Sequence, residues 1–309
     1  MYFPYLRARQ FELISLRELV NDGKLQNITP VLEPVKEGFN NLNLAHKVFQ
    51  EKDFNAYLIV NPFKGEKAGD KEFFLTYLSE LENSKFLPAF HYSDNADYII
   101  SNIEKYNLDN CLIICLDNFS DEESLKILCS NEKISKIMLL EPHKYRSLDR
   151  NIKGLGKFYI RLDDVFEKQQ KNADFLDIKA HKFTEEHLYY DKDGYQAFAD
   201  FTALTSEFVE GGSTPRAVVI HLTYLNKELE NQIWIRHFTS KDVDSIANVQ
   251  GKFAQAAEKA VDFCDSLPLL NAATNELKTY LEEGRYPGLG TVKKISIKNH
   301  LLIISDFLN

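Results

Sequence analysis

The feature that most constrains the fold is a short apolar run ending in two polar residues, at residues 111–118 (CLIICLDN). A continuous apolar run of this length, bounded by turn-forming residues, is typical of a strand buried on both faces of a parallel sheet. Runs of the same kind recur through the first two-thirds of the chain and alternate with helical patterns. This alternation predicts an α/β fold, and the polar strand ends predict a site at the carboxyl edge of the sheet.

Eight such runs alternating with helices predict a TIM-type (β/α)₈ barrel, and a doubly wound open sheet is the alternative. Five segments with helical spacing follow the first strands, at residues 10–21, 40–51, 71–82, 95–106 and 121–130. The predicted strands are residues 3–8, 29–35, 56–62, 86–92, 111–118, 135–142, 158–164 and 197–202.

The last third of the chain departs from this alternation. Residues 216–225 and 232–238 flank a polar turn, which predicts an antiparallel hairpin. Helical patterns follow, and they predict three helices at residues 249–265, 271–283 and 292–308.

No segment rich in Pro, Gly or Ser separates these later elements from the barrel strands. We therefore expect one domain over residues 1–309. Its barrel core is residues 1–203, and the β-hairpin insertion and helical C-terminal extension at residues 204–309 are expected to pack on that core.

Composition excludes several classes of protein. The formal net charge of −9 argues against global electrostatic binding to nucleic acid, although a local basic patch stays open. The four cysteines form no CxxC pair, so neither a disulfide framework nor a zinc ribbon is expected. No apolar run approaches the ~20 residues of a membrane span, and residues 1–10 lack the apolar core of a signal peptide. We expect a cytoplasmic protein with no membrane partner.

Side chains alternate along a strand, so polar residues near strand ends can be assigned to one face. In the seventh predicted strand, Phe158, Ile160 and Leu162 take one face, which we expect to meet the helices. Arg161 and Asp163 take the other face and are predicted to point into the barrel. Two charges there are costly unless they pair or bind something.

The same phasing predicts a ring of charged and polar side chains at one mouth of the barrel. Taken alone, each member has an ordinary explanation, either as a residue that the turn after the strand favours or as part of a structural ion pair. Their coincidence over seven strands predicts a pocket. The ring comprises Arg7, Glu33, His91, Asp117, Glu141, Arg161, Asp163 and Asp200, and Asn61 takes the comparable position in the third strand.

Converging carboxylates suit a hard cation, since Mg²⁺ and Mn²⁺ prefer oxygen ligands. A metal site is therefore one hypothesis, with Mg²⁺ or Mn²⁺ as the cofactor. Its predicted ligands are Glu33, Asp117, Glu141 and Asp163.

Acid–base catalysis is the other hypothesis for the ring, because crowding of carboxylates raises the pKa of one of them. The same four carboxylates and His91 are then the catalytic candidates. Arg7, Arg161, Asn61 and Asp200 are predicted to bind substrate, the arginines by neutralising a phosphate or a developing anion. Hydrolysis of a phosphate ester or phosphodiester fits this set, and so does hydrolysis of a glycosidic bond.

Two other features have less specific interpretations. His221 and His237 lie in the hairpin strands, where we expect them to pack or to form hydrogen bonds. Basic residues on the last predicted helix could contact a nucleic acid or an acidic partner, with an ordinary solvated face as the alternative. This basic strip comprises Lys293, Lys294, Lys298 and His300.

Several segments carry a resemblance to a known family. They are residues 2–13 (YFPYLRARQFEL), 30–34 (PVLEP), 198–201 (FADF), 217–222 (AVVIHL) and 286–296 (YPGLGTVKKIS). Together they resemble an uncharacterised bacterial family close to the phage beta-protein family, and the resemblance extends over nearly the whole chain.

The resemblance implies a cellular setting more than a chemistry. Members of that family tend to lie beside a small nuclease-like protein in defence-like gene neighbourhoods. This implies an antiphage or genome-conflict role with a protein partner. Family members often carry two adjacent histidines where this chain has Asn299 and His300.

Two functional hypotheses follow. The first is a TIM-barrel hydrolase, with the carboxylates of the ring as metal ligands or as acid–base groups, that acts on a phosphorylated or nucleic-acid-derived substrate in phage defence. The second is a non-catalytic barrel that senses a phage component or regulates a nuclease-like partner through its hairpin and C-terminal helices. A catalytic ring is expected to be open to solvent, whereas a structural ring is expected to be paired and closed.

Overall fold

A computed structural model describes residues 1–116, 119–211, 216–243 and 245–309. Eight of its strands form a parallel sheet and three form a smaller antiparallel sheet. The strands are β1 (Tyr5–Leu6), β2 (Val31–Leu32), β3 (Ala56–Ile59), β4 (Phe86–Tyr92), β5 (Cys111–Cys115), β6 (Ile134–Leu140), β7 (Phe158–Asp163), β8 (Ala180–Thr184), β9 (Ala197–Asp200), β10 (Val219–Asn226) and β11 (Gln232–Thr239).

Helices connect the strands, and several begin at side chains that cap them. The side chains of Asn248 and Asn271 accept hydrogen bonds from backbone N–H groups in the first turns of the helices that follow. The helices are α1 (Gln10–Asn21), α2 (Asn40–Glu51), α3 (Phe73–Ser79), α4 (Ala96–Lys105), α5 (Glu122–Ser130), α6 (Arg146–Gly154), α7 (Phe175–Ile178), α8 (Glu186–Tyr189), α9 (Val249–Ser266), α10 (Ala272–Glu282) and α11 (Leu289–Leu308).

The parallel sheet runs from β1 to β7 in chain order and ends with β9. Its two edges meet through a parallel bridge between Tyr2 and Phe198, and the Phe3 N–H donates to the Phe198 carbonyl at 2.9 Å. The sheet therefore curls into a nearly closed barrel. This confirms the predicted TIM-type architecture.

The interior of the barrel is apolar. Strand residues of alternate phase fill it, and the residues of the other phase pack against the helices. All eight strands, or the residues directly before and after them, contribute to the interior. Its buried members are Phe3, Tyr5, Val31, Tyr57, Ile59, Ala89, Leu112, Ile114, Met138, Ile160, Leu162, Ala197, Ala199 and Phe201.

The antiparallel sheet has the order β10–β11–β8. The hairpin formed by β10 and β11 agrees with its prediction, but β8 was not predicted as a strand. It lies in a polar stretch and pairs with β11, about 50 residues away in the chain, so no local pattern identifies it. Tyr224 and Phe238 of this sheet contact Phe263 of α9.

Helix α11 packs between the barrel helix α1 and the small sheet. Lys294 and Lys298 of α11 are almost fully buried and form ion pairs with Glu18 of α1 and Glu276 of α10. His300 is buried as well. The interpretation of this helix as an exposed basic strip is therefore wrong, because three of its four residues face other helices or the barrel.

In the described part of the chain, no helix combines the length and the apolar character needed to cross a bilayer.

Candidate functional site

Four of the predicted mouth residues lie together at the carboxyl ends of the first four barrel strands. Arg7, Glu33 and Asn61 follow β1, β2 and β3, and His91 lies near the end of β4. Each shares the phase of an interior residue two positions earlier, so each side chain points to the barrel axis. We call these four residues the mouth cluster.

Glu33 is fully buried at the centre of the mouth cluster. Its Oε2 atom accepts hydrogen bonds from the Tyr5 hydroxyl at 2.7 Å and from the Arg7 guanidinium. Its Oε1 atom accepts from the backbone N–H groups of Phe63 at 3.0 Å and Lys64 at 3.2 Å. An ionised carboxylate has about four acceptor sites. All four are occupied in Glu33.

His91 is also fully buried, and its hydrogen bonds define its tautomer. Tyr5 has one hydroxyl proton and donates it to Glu33, so Nε2 of His91 donates to the Tyr5 oxygen over 2.9 Å. The Nδ1 atom is then an unprotonated acceptor, and it has no hydrogen-bond partner. Burial, aided by the Arg7 charge, lowers the pKa of His91 to about 3, so the ring is neutral at physiological pH.

Two loops close the mouth cluster. The first follows β3, where Phe63 stacks on the His91 ring at a centroid distance of 4.1 Å. The second follows β9, where the Ser206 carbonyl accepts a hydrogen bond from Nη2 of Arg7 at 2.5 Å. The Arg7 guanidinium also lies over the ring of Phe201, at 5.7 Å from its centroid. The mouth is therefore paired and closed.

Arg161 and Asp163 do not point into the barrel, so this prediction is wrong. The interior positions of β7 belong to Ile160 and Leu162. The reason is that a TIM-type interior is itself a packed apolar core, so the wholly apolar face of the strand belongs inside. Outside, Nε of Arg161 donates to Asp163 at 2.7 Å, and Nη1 lies 3.0 Å from Glu186 of α8.

This outer cluster contains a carboxyl group that the sequence did not single out. Burial raises the pKa of Glu186 to about 7 and outweighs the opposing charge of Arg161. Burial also raises the pKa of Asp163, against its hydrogen bond from Arg161. Glu186 was missed because it lies in the polar stretch between β7 and β9, where no strand pattern assigns it to a face.

Glu141 lies at the edge between the mouth and the outer cluster. Its backbone is left-handed, with φ of 47°, and its carboxylate pairs with Lys144. Its charge contributes to raising the pKa of both Asp163 and Asp164, and burial is the largest cause for both. Asp164 is a further residue that sequence reasoning missed, although it follows directly after the predicted pair.

Asp200 is not a mouth residue, and its predicted role in substrate binding is not supported by its position. It shares the outward phase of Phe198 and is almost fully buried beneath α11. The Tyr2 hydroxyl donates to it at 2.5 Å, and Nε2 of His300 lies 3.3 Å from it. Asp200 therefore belongs to a polar network that joins the barrel to the C-terminal helix.

The three predicted metal ligands that the structure describes, Glu33, Glu141 and Asp163, do not come together. Asp117 lies outside the described residues. Glu33 has no acceptor site left, Asp163 is bound by Arg161 on the outer face, and Glu141 pairs with Lys144. Within residues 1–116, 119–211, 216–243 and 245–309, no group of three His, Cys, Asp or Glu residues is arranged to hold a metal ion. The side chains present do not fit the predicted Mg²⁺ or Mn²⁺ site.

A group of three histidines links the three strands of the small sheet. The Nδ1 atoms of His221 and His237 are 2.7 Å apart, so one ring donates a hydrogen bond to the other. The ring of His181 lies 5.2 Å from that of His237. The Nε2 atoms of His181 and His237 are buried without hydrogen-bond partners. This agrees with the expectation that His221 and His237 pack and form hydrogen bonds.

Comparison of the chain with protein-family models, with curated proteins and with solved structures finds no match.

Proposed function

We propose that this protein is a non-catalytic barrel that acts by binding a protein partner. The observation that supports this most directly is the full occupation of Glu33. A general acid, a general base or a metal ligand needs a lone pair or a proton that can reach its substrate or ion. Both oxygens of Glu33 are instead held by Tyr5, Arg7 and two backbone N–H groups.

The resemblance described above supports the identity of the partner. We propose that it is the small nuclease-like protein of defence-like gene neighbourhoods, and that a phage component is the signal. The surface that we assign to this contact is formed by the small sheet with α9, α10 and α11. Four buried cysteines without disulfide bonds are consistent with a cytoplasmic location.

The absence of catalysis is tested with chromogenic phosphate mono- and diesters in the presence of Mg²⁺ or Mn²⁺. We expect no hydrolysis by the wild-type protein above that of His91→Gln. His46→Gln is the matched control, because His46 is also buried but lies in α2, away from the mouth. Turnover that His91→Gln abolishes and His46→Gln retains would overturn the proposal.

Partner binding is tested by co-expression with the neighbouring nuclease-like protein and by size-exclusion chromatography. A stable complex, together with phage protection that requires both proteins, is the expected result. Protection by the barrel protein alone, with no complex, contradicts the proposed role.

One observation favours a hydrolase as the second candidate function. Nδ1 of His91 is an unprotonated imidazole nitrogen without a partner, which is the state that a general base needs. Movement of the loop at Phe63 would uncover this atom beside Arg7, which could then bind an anionic substrate. The assay with chromogenic phosphate esters separates the hydrolase from the non-catalytic barrel.

A further inference from the structure

A second concave site lies at the opposite end of the barrel from the mouth. It is a cavity of about 380 Å³ between the end of α6, the start of β7 and the turn before β9. No acidic side chain is among the described residues that line it. They are Lys153, Gly156, Lys157, Phe158, Gly194 and Gln196.

Two lysines line this cavity, and the charge of one of them has no counter-charge among its hydrogen-bond partners. Nζ of Lys157 donates to the backbone carbonyls of Asn131 at 2.9 Å and Ile134 at 2.7 Å. These acceptors are neutral, so they leave the ammonium charge uncompensated and one N–H group available. Nζ of Lys153 pairs with Asp149 at 2.9 Å, and that carboxylate also accepts hydrogen bonds from two tyrosine hydroxyls.

A third lysine lies close to one wall of the cavity. Nζ of Lys136 lies 5.4 Å from the centroid of Phe158, which lines the cavity, and 5.6 Å from that of Tyr57. Its hydrogen-bond acceptor is the side-chain oxygen of Asn110, at 3.3 Å. Burial lowers the pKa of this amine. Among the described residues, Lys136 therefore contacts neutral groups and no carboxylate.

We propose that this cavity binds a small dianion, such as the phosphate group of a metabolite. Ammonium groups form strong charge-assisted hydrogen bonds with phosphate oxygens. The side-chain amide of Gln196 and the ring of Phe158 provide a polar and an apolar wall for the rest of such a ligand. This site is independent of the mouth cluster and goes beyond the proposed partner-binding function.

The experiment is an isothermal titration of the full chain with inorganic phosphate, at constant ionic strength maintained with sodium chloride. We expect saturable binding by the wild-type protein. Lys153→Gln is expected to weaken it about tenfold, because the loss of one charged hydrogen bond costs about 1.5 kcal/mol. Lys126→Gln is the matched control, since Lys126 forms a comparable i,i+3 pair with Glu123 on α5, away from the cavity.

Three outcomes would overturn the proposal: no saturable binding, equal affinity for the wild type and Lys153→Gln, or equal weakening by Lys126→Gln. Lys157→Gln gives a second test, and circular dichroism verifies that both variants are folded. The proposed partner-binding function is measured separately, by size-exclusion chromatography with the nuclease-like protein, and that experiment does not involve this cavity. Failure of this site is therefore distinguishable from failure of the proposed function.

Discussion

At the scale of single residues, Glu33 explains why a charge can stay at the centre of the barrel. A buried carboxylate is stable only when an opposite charge neutralises it and hydrogen-bond donors satisfy its lone pairs. Arg7 matches the charge of Glu33, and Tyr5 with two backbone N–H groups completes its hydrogen bonds. The same contacts hold the loop at Phe63 against the mouth.

Replacement of Glu33 by Gln should lower the free energy of unfolding by about 3 kcal/mol, because it leaves the Arg7 guanidinium in the mouth without a counter-charge. Glu66→Gln is the control, since Glu66 forms an exposed, solvent-screened pair with Lys36 and its replacement should change the free energy of unfolding little. Urea denaturation of both variants measures the difference. If both variants lost the same small amount of unfolding free energy, Glu33 would not stabilise the mouth.

His221 and His237 should make stability depend on pH. Burial lowers their pKa values from 6.5 to about 3 and about 2. Between pH 6.5 and those values the unfolded chain binds protons that the folded chain does not, so the free energy of unfolding falls as the pH falls. From about pH 7.5 to about pH 5.5 the pair should account for roughly 2 to 3 kcal/mol of that loss.

The measurement is urea denaturation of the wild type and of the His221→Phe/His237→Phe double variant at several pH values. The double variant should show the smaller loss on acidification. His143→Gln, at an exposed histidine, should follow the wild type. If the free energy of unfolding fell equally with pH in the wild type and the double variant, His221 and His237 would not be the source of the pH dependence.

At the scale of elements, α11 holds the small sheet against the barrel. Its glycine, Gly290, makes this packing possible. A Cβ atom at Gly290 would lie 2.0 Å from the Phe11 ring of α1, so the two helices approach too closely for a larger residue. Gly288 precedes Gly290 as the N-cap residue of α11.

Gly290→Ala should lower the free energy of unfolding by about 1 to 3 kcal/mol through overpacking against Phe11. Gly154→Ala is the control. Gly154 ends α6 and a Cβ atom there would meet nothing within 4 Å, so alanine should be neutral or stabilise by up to about 1 kcal/mol. Thermal denaturation compares the two variants, and the prediction is wrong if Gly290→Ala has the same melting temperature as the wild type.

At the scale of the whole molecule, polar groups lie in separate places around an apolar barrel interior. The mouth cluster closes the carboxyl end, the lysine-lined cavity lies at the amino end, and Asp200 with His300 joins the barrel to α11. The mouth is closed and the C-terminal elements cover one side of the barrel. This arrangement of the described residues is the basis of the proposal that the protein binds a partner.

The sequence by itself determined a parallel sheet that alternates with helices, and four residues of its mouth, whereas closure of the sheet into a barrel depends on the tertiary pairing of Tyr2 with Phe198. Apolar runs bounded by turns can bury both faces only in a parallel sheet covered by helices, and the period of two placed Arg7, Glu33, Asn61 and His91 on one face. Only the tertiary structure decided which face of β7 and β9 points inward. Both the barrel interior and the helix layer are apolar, so alternation defines two faces without saying which one is inside. The strand β8 was not predicted for a different reason. Its pairing with β11 depends on contacts between segments that are distant in the chain.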